Sequence, residues 1–304
     1  MARRGFRVAG EAMRERIEQI GGVFSDGYHS ALQTSRLEEL VARLESVELD
    51  FRGFAYEGAA MGLALLDALT PWRRNRLSEF LHGAGGPHTY MVHVAIGWVV
   101  ARWPGRIETK LAPLDPLLRW LVLDGYGFHE GFFHWPKYVG GQPLPKRLTH
   151  CTDALPYAAR VFDQGLGRSL WFVDGADPER LKQTVADFPE SRQSDLWSGI
   201  GLACVYAGEM TESALTLLRD AAGAYWPQLA QGAAFAAKAR CRAGNPTAYT
   251  ERACRSICGL SAEEAAAVTD AALENLGSSQ PEPAFEIWRR RIQERFAEGK
   301  ELAR

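Results

Sequence analysis

His93, Glu130 and His134 are the residues whose types and spacing offer most chemistry. Two imidazoles and a carboxylate can work as general acid and base, and the same set is the two-histidine, one-carboxylate arrangement that suits non-haem iron with open coordination positions. The commoner role of such groups is a hydrogen-bonded polar seam, because buried polar groups satisfy one another. His129, Glu130 and His134 also invite a zinc-protease reading. That motif needs histidines four apart on one face, whereas these are five apart and diverge by about 140° on an ideal helix; His88 and His93 share the defect.

Other candidates carry less. Cys254 and Cys258 in CRSIC place two thiols on one helix face, but with no second pair they read as small packed hydrophobes rather than zinc ligands. Cys151 beside His150 reads as a loop pair. The string Gly165-Leu166-Gly167-Arg168 lacks the third glycine and preceding strand of a dinucleotide fingerprint. Tyr126, Phe128, Phe132, Phe133, His134, Trp135 and Tyr138 form an aromatic cluster that can be core or can hold a flat or polyunsaturated ligand.

The elements that position these residues read as helices. β-branched alternation is scarce, while Glu57–Leu69, Leu117–Leu123, Trp197–Ala207 and Glu263–Leu276 are rich in Ala, Leu and Gly at helical periods. Breakers fall between them at Thr70-Pro71, Trp103-Pro104, Trp135-Pro136, Asp174–Pro178, Gly244–Pro246 and Ser278-Ser279. Asp177-Pro178-Glu179 reads as a helix start, and Ser261–Glu264 as a capping box. The fold class is all-α.

Glycines recur at Gly97, Gly131, Gly165, Gly199 and Gly232, spaced 34, 34, 34 and 33 residues apart, with Gly58 a further 39 before them. That is the length of a tetratricopeptide-type helix pair, so the expected architecture is a single domain of stacked antiparallel helix pairs over residues 51–304, with residues 1–50 as an N-terminal helical cap. With each glycine as position zero, positions −4, −1 and +3 share one face. That face reads Glu57, His93, Glu130, His134, Gln164, Arg168, Asp195, Ser198, Gln228 and Gln231, with Phe54, Met61, Ile96 and Leu202. It would line a groove. The site expected there uses His93, Glu130, His134 and Arg168 in catalysis, Glu57, Gln164, Phe133 and Trp135 against substrate, and His93, Glu130 and His134 for a metal.

Thirty-five Lys and Arg against 37 Asp and Glu leave a net charge of −2, with no basic excess for nucleic acid or an anionic membrane. The basic start is interrupted by Glu11, Arg14 and Glu15, unlike a signal peptide, and no apolar run reaches the ~20 residues of a membrane span. Five cysteines without paired spacing fit a reducing compartment, so a cytoplasmic protein is expected. Large aromatics at Trp103, Trp135, Trp171, Trp197 and Trp226 exceed what a single curved layer readily buries, which points to a homodimer or a closed bundle.

The strings RGFAYEGAAMGLALLDALTPW, LDPLLRWLVLDGYGFHEGFFHWP, FDQGLGRSLWFVDGADP, SDLWSGIGLACVYAGE and LAQGAAFAAKARCRAGN, in this order from about Arg4 to about Phe296, resemble the UnbL type of enediyne biosynthesis protein. The resemblance implies a bacterial pathway in which a polyketide synthase makes a linear polyene and accessory proteins help convert it to an enediyne core. It implies as partners the polyene or an enediyne-core intermediate and other proteins of the gene cassette. It assigns no catalytic residue. Two functions follow: an oxidative or halogenative tailoring step on the polyene, or a non-catalytic helical scaffold that shelters the polyene or docks pathway proteins.

Overall fold

The structure is a computed structural model and describes residues 5–8, 10–70, 72–73, 75–103, 105–149, 157–276 and 282–302. Pro71, Pro104, His150, Cys151, Ser278 and Ser279, singled out above, lie outside them. The described chain is all-helical, with 77% helix and no strand. In order the helices are α1 (Glu11–Gln33), α2 (Leu37–Glu45), α3 (Leu49–Leu69), α4 (Arg76–His82), α5 (Thr89–Arg102), α6 (Ile107–Leu111), α7 (Leu121–Phe133) and α8 (Lys146–Thr149). They continue with α9 (Ala158–Val173), α10 (Pro178–Ala186), α11 (Glu190–Ala207), α12 (Glu212–Ala222), α13 (Trp226–Arg242), α14 (Ala248–Cys258), α15 (Ala262–Ala271) and α16 (Ala284–Leu302).

Local chemistry sets many of these boundaries. The Asp177 carboxylate accepts from the backbone N–H groups of Glu179 and Arg180 and starts α10 over Pro178. Ser261 and Glu264 close the capping box of α15. Thr247 and Thr250 form a second box on α14, which the usual pattern of a Glu or Gln at the third position does not reveal.

The odd-numbered helices from α1 to α15 pack one on the next in series, while α10, α12 and α14 form a second series behind them. The division follows from burial. In α9 almost every residue from Val161 to Val173 is buried, as a helix enclosed on all sides must be, whereas α10 buries only Leu181 and Val185. Trp171, Trp197 and Trp226 are buried within the chain, Trp226 between the Ile257 carbonyl of α14 and the Phe296 ring of α16. These three residues therefore do not call for a dimer.

Glycine lets the odd helices meet backbone to backbone, and the contacts are reciprocal. A Cβ on Gly165 would overlap the Asp124 carbonyl oxygen of α7, and one on Gly127 of α7 would overlap the Phe162 carbonyl of α9. Gly167 and Gly199 repeat the pattern between α9 and α11, and Gly201 and Gly232 between α11 and α13. Each Gly-x-Gly therefore turns one glycine to the preceding helix and the other to the following one.

The 34-residue series changes in this light. Gly165, Gly199 and Gly232 are equivalent, each set against the preceding odd helix, but Gly97 and Gly131 face the following one. The α7 equivalent is Gly125, which lies on Val94 of α5. On α5 the place is taken by Ala95, buried with Ala55 and Ala59 of α3. The face that packs inward thus shifts by two residues on α5 and six on α7.

Candidate functional site

That inner face carries a continuous buried polar line. Position −1 to Gly125 is Asp124, which is fully buried and forms an ion pair with Arg168. Gln164 Nε2 donates to Asp124 Oδ2 at 2.7 Å. The Ser198 hydroxyl lies 3.3 Å from Gln164 Oε1 and 2.8 Å from Gln231 Oε1. Arg289 of α16 donates to Tyr157 Oη at 2.6 Å and to Asp195 Oδ1 at 2.7 Å. Arg160 joins Asp195 at 3.1 Å to Glu286 at 2.5 Å. Charges this deep survive only because each has partners of the opposite sign or a full set of hydrogen bonds.

Glu57 faces this line from α3. Burial raises its carboxyl to about 7, with the Asp124 charge adding to the rise and Arg168 opposing it. Arg168 also forms one wall of an apolar cavity of about 30 Å³ lined by Met91, Val94, Leu121, Leu202, Phe235 and Trp288. Arg168 and Gln164 are thus committed to Asp124. The glycine period misses Asp124 because it takes Gly131, rather than Gly125, as position zero on α7.

The histidines separate. His93, two positions off the inward face of α5, is buried with its Nδ1 on the Thr89 carbonyl oxygen at 2.7 Å. Glu130 and His134 do meet, with His129 as the third member: His129 Nδ1 lies 3.0 Å from one Glu130 oxygen and His134 Nδ1 3.2 Å from the other. Glu130 and His134 are four apart and share one helical face, while His129 reaches the other Glu130 oxygen from the adjacent position, so two rings that diverge by about 140° on an ideal helix meet through the carboxylate between them. α7 ends at Phe133, and His134 is its C-cap, with φ −126° and ψ 33°. A single π-helical turn at Pro136–Gly140 then follows, and Tyr138 within it is turned to the Glu130 carboxylate.

Arg102 Nε donates to His129 Nε2 at 2.9 Å. Arginine can only donate, so His129 is the tautomer with its proton on Nδ1, and that proton points at Glu130. Burial and then Glu130 act on His129 in opposite senses, and the net shift is downward. Burial would raise the Glu130 carboxyl, but the His129 hydrogen bond, together with His134 and Tyr138, brings it below its usual value. The ionised Glu130 therefore accepts from both rings. His134 is half exposed and turns Nδ1 inward, which leaves Nε2 as its outward atom. Phe133 stacks its face toward Arg102 at 5.3 Å and packs on Trp98, closing the inner side of the cluster; Trp135 is half-buried at the start of the π turn.

The ligand atoms of His129, Glu130 and His134 lie within 4.8 Å of one another, the geometry of a potential ion site. An ion held through His129 Nδ1 would have to displace the proton that Arg102 fixes there, so the donor set as arranged is a hydrogen-bonded relay. The other sulfur and histidine candidates are simpler. Cys254 and Cys258 are buried on one face of α14, and His88 stacks on Tyr56 at 4.0 Å.

The family model described as protein of unknown function (DUF1702) matches residues 1–296, and the chain belongs to that family. The description carries no activity and no link to enediyne chemistry. No curated protein and no solved structure matches the chain. No helix among the described residues is long and apolar enough to cross a membrane.

Proposed function

We propose that the protein is a proton-transfer enzyme of enediyne biosynthesis that acts, in the cytoplasm, on the linear polyene or a derivative of it. His134 Nε2 takes or returns the proton at the substrate. Glu130 holds the Nδ1 side of that ring and balances the imidazolium that forms, as a carboxylate does behind a catalytic histidine. His129 and Arg102 keep Glu130 ionised and in place. The observation that carries the reading is the Glu130 carboxylate set between two histidines, one buried and tautomer-locked, the other half exposed. The polyene is taken from the resemblance of the long sequence strings, and the aromatic rings of Phe132, Phe133 and Trp98 beside the relay favour an unsaturated substrate.

The arrangement of the helices supports the finer architecture as well. A tetratricopeptide-like solenoid accounts for the serial packing of the odd helices and for the spacing of Gly165, Gly199 and Gly232. One observation favours the scaffold alternative, in which the chain binds the polyene or docks other cassette proteins: α16 sets Arg289 against Asp195 and Gln231 of the inner face, and the cavity that Trp288 lines there is only about 30 Å³.

The test is replacement of the gene in a producing strain by variants His134→Ala and Glu130→Gln. Both should keep the far-ultraviolet helical spectrum and abolish product, with the linear polyene accumulating. Product at the normal level from both variants would overturn the enzyme reading in favour of the scaffold. Elemental analysis of untagged protein adds a second arm, since one equivalent of iron would replace the proton relay by a metal centre on His129, Glu130 and His134.

A further inference from the structure

His93, displaced from the inner face, lines a separate groove of about 730 Å³ formed by the end of α3 with α4, α5 and α6. Its Nδ1 is turned to the Thr89 carbonyl, which places the proton there and leaves the lone pair on Nε2. His93 is only 1% exposed, and Nε2 has no hydrogen-bond partner. A buried acceptor left unpaired is costly, and in native structures it calls for an explanation. Burial outweighs the Thr89 contact and lowers the affinity of the ring for a second proton, so Nε2 remains an acceptor at neutral pH.

The rest of the groove has two characters. Ala64, Leu77, Ile96, Val99, Trp103 and Leu114 make it apolar along its length. Asp67, Lys110 and Asp115 supply charge. Asp67 is used by Arg76 at 3.1 Å and by the Leu77 N–H at 3.0 Å, and Asp115 accepts from the Leu117 and Leu118 N–H groups at 2.9 and 2.8 Å. Lys110 has no ion-pair partner among the described residues. Burial first, and then the Arg147 charge, lower its pKa. An ammonium group in that setting gains by meeting an anion.

We propose that this groove binds an elongated apolar carboxylic acid bearing a hydroxyl group along its chain, the hydroxyl donating to His93 Nε2 and the carboxylate meeting Lys110. The volume lies within the range of sites that take small ligands mostly through apolar contact with a few placed polar groups. This site is distinct from the relay at His134 and adds a second ligand class to the chain.

The experiment is isothermal titration of the full chain with octadecanoic acid, a set of octadecanoic acids bearing one hydroxyl at different carbons, and the methyl esters of that set, all below their micelle concentrations. The best hydroxylated acid should bind about tenfold more tightly than octadecanoic acid and than its own ester, one hydrogen bond in each comparison. His93→Phe should erase the preference for the hydroxyl, and Lys110→Met the preference for acid over ester. Ala68→Trp, at a half-buried position on the groove wall, should abolish binding with no demand on the core. His134→Ala should leave all affinities unchanged, so loss of product and loss of binding report on different sites. Absence of saturable binding, equal affinities across the compounds, a hydroxyl preference that survives His93→Phe, or binding that survives Ala68→Trp would overturn the proposal.

Discussion

Glu57 gives the clearest consequence at the scale of single residues. Its carboxyl titrates near 7 in the folded chain against 4.5 ordinarily. A raised folded value means that the native state holds the proton more tightly than the unfolded state. The stability this confers is complete below about pH 4.5 and is lost as pH rises through 7. Glu57→Gln keeps the neutral form at every pH, so it should stabilise the protein at pH 8 by roughly 3 kcal/mol and have little effect at pH 4.5. Urea unfolding of both proteins at the two values checks this; an equal difference at both would remove the protonation argument. His88 works in the opposite sense. Burial lowers its pKa to about 4 from 6.5, so its contribution is present above 6.5 and fades as pH falls through 4. His88→Phe should therefore flatten the acid side of the stability profile, measured by the same unfolding series.

At the scale of helices, the same substitution should have opposite signs at two glycines. Gly165 packs on the backbone of α7, where a Cβ would overlap the Asp124 carbonyl oxygen and only movement of a whole helix could make room. Gly165→Ala should cost about 3 kcal/mol or more, exceeding the ~1 kcal/mol that alanine gains over glycine in a helix. Gly21, in the middle of α1, has nothing within 4 Å of where a Cβ would stand, so Gly21→Ala should stabilise by up to ~1 kcal/mol. Thermal melts of the two variants decide the matter: equal shifts would show that helix propensity, not backbone contact, dominates at Gly165. The contrast also explains the limit of the glycine period. Recurrence shows that close approach is needed, but a glycine looks the same in sequence whichever neighbour it faces.

Over the whole molecule, α16 ties the last part of the chain to its middle. Arg289 and Asp195 are both fully buried, and Arg289 also holds the Tyr157 hydroxyl. Arg289→Met removes a buried partner while Arg160 keeps its contact with Asp195, so the expected loss is about 3 kcal/mol, the lower end for breaking a buried pair. Adding Asp195→Asn should recover part of that loss, because it removes the carboxylate left behind. Chemical denaturation of the single and double variants tests the coupling; additive effects would mean that the pair is not the link.

What the amino-acid order determined by itself was local. Helix content, the start at Asp177, the capping box at Ser261 and the end of α3 near Thr70 follow from residues within a few positions of each other. Gln164, Arg168, Asp195, Ser198 and Gln231 were legible as one polar face, because α9, α11 and α13 keep a regular spacing. The tertiary structure decided the rest. Ala95 fills the place of a glycine on α5, and Gly125 rather than Gly131 fills it on α7, so His93 moves to another groove and Asp124 takes the position beside Arg168. His134 reaches Glu130 as neighbours four apart on a helix do, and what the fold adds is His129, held against the other Glu130 oxygen by Arg102 of α5. The deciding quantity is which neighbour each side chain of a helix is turned to, and that is set by the helix it packs against.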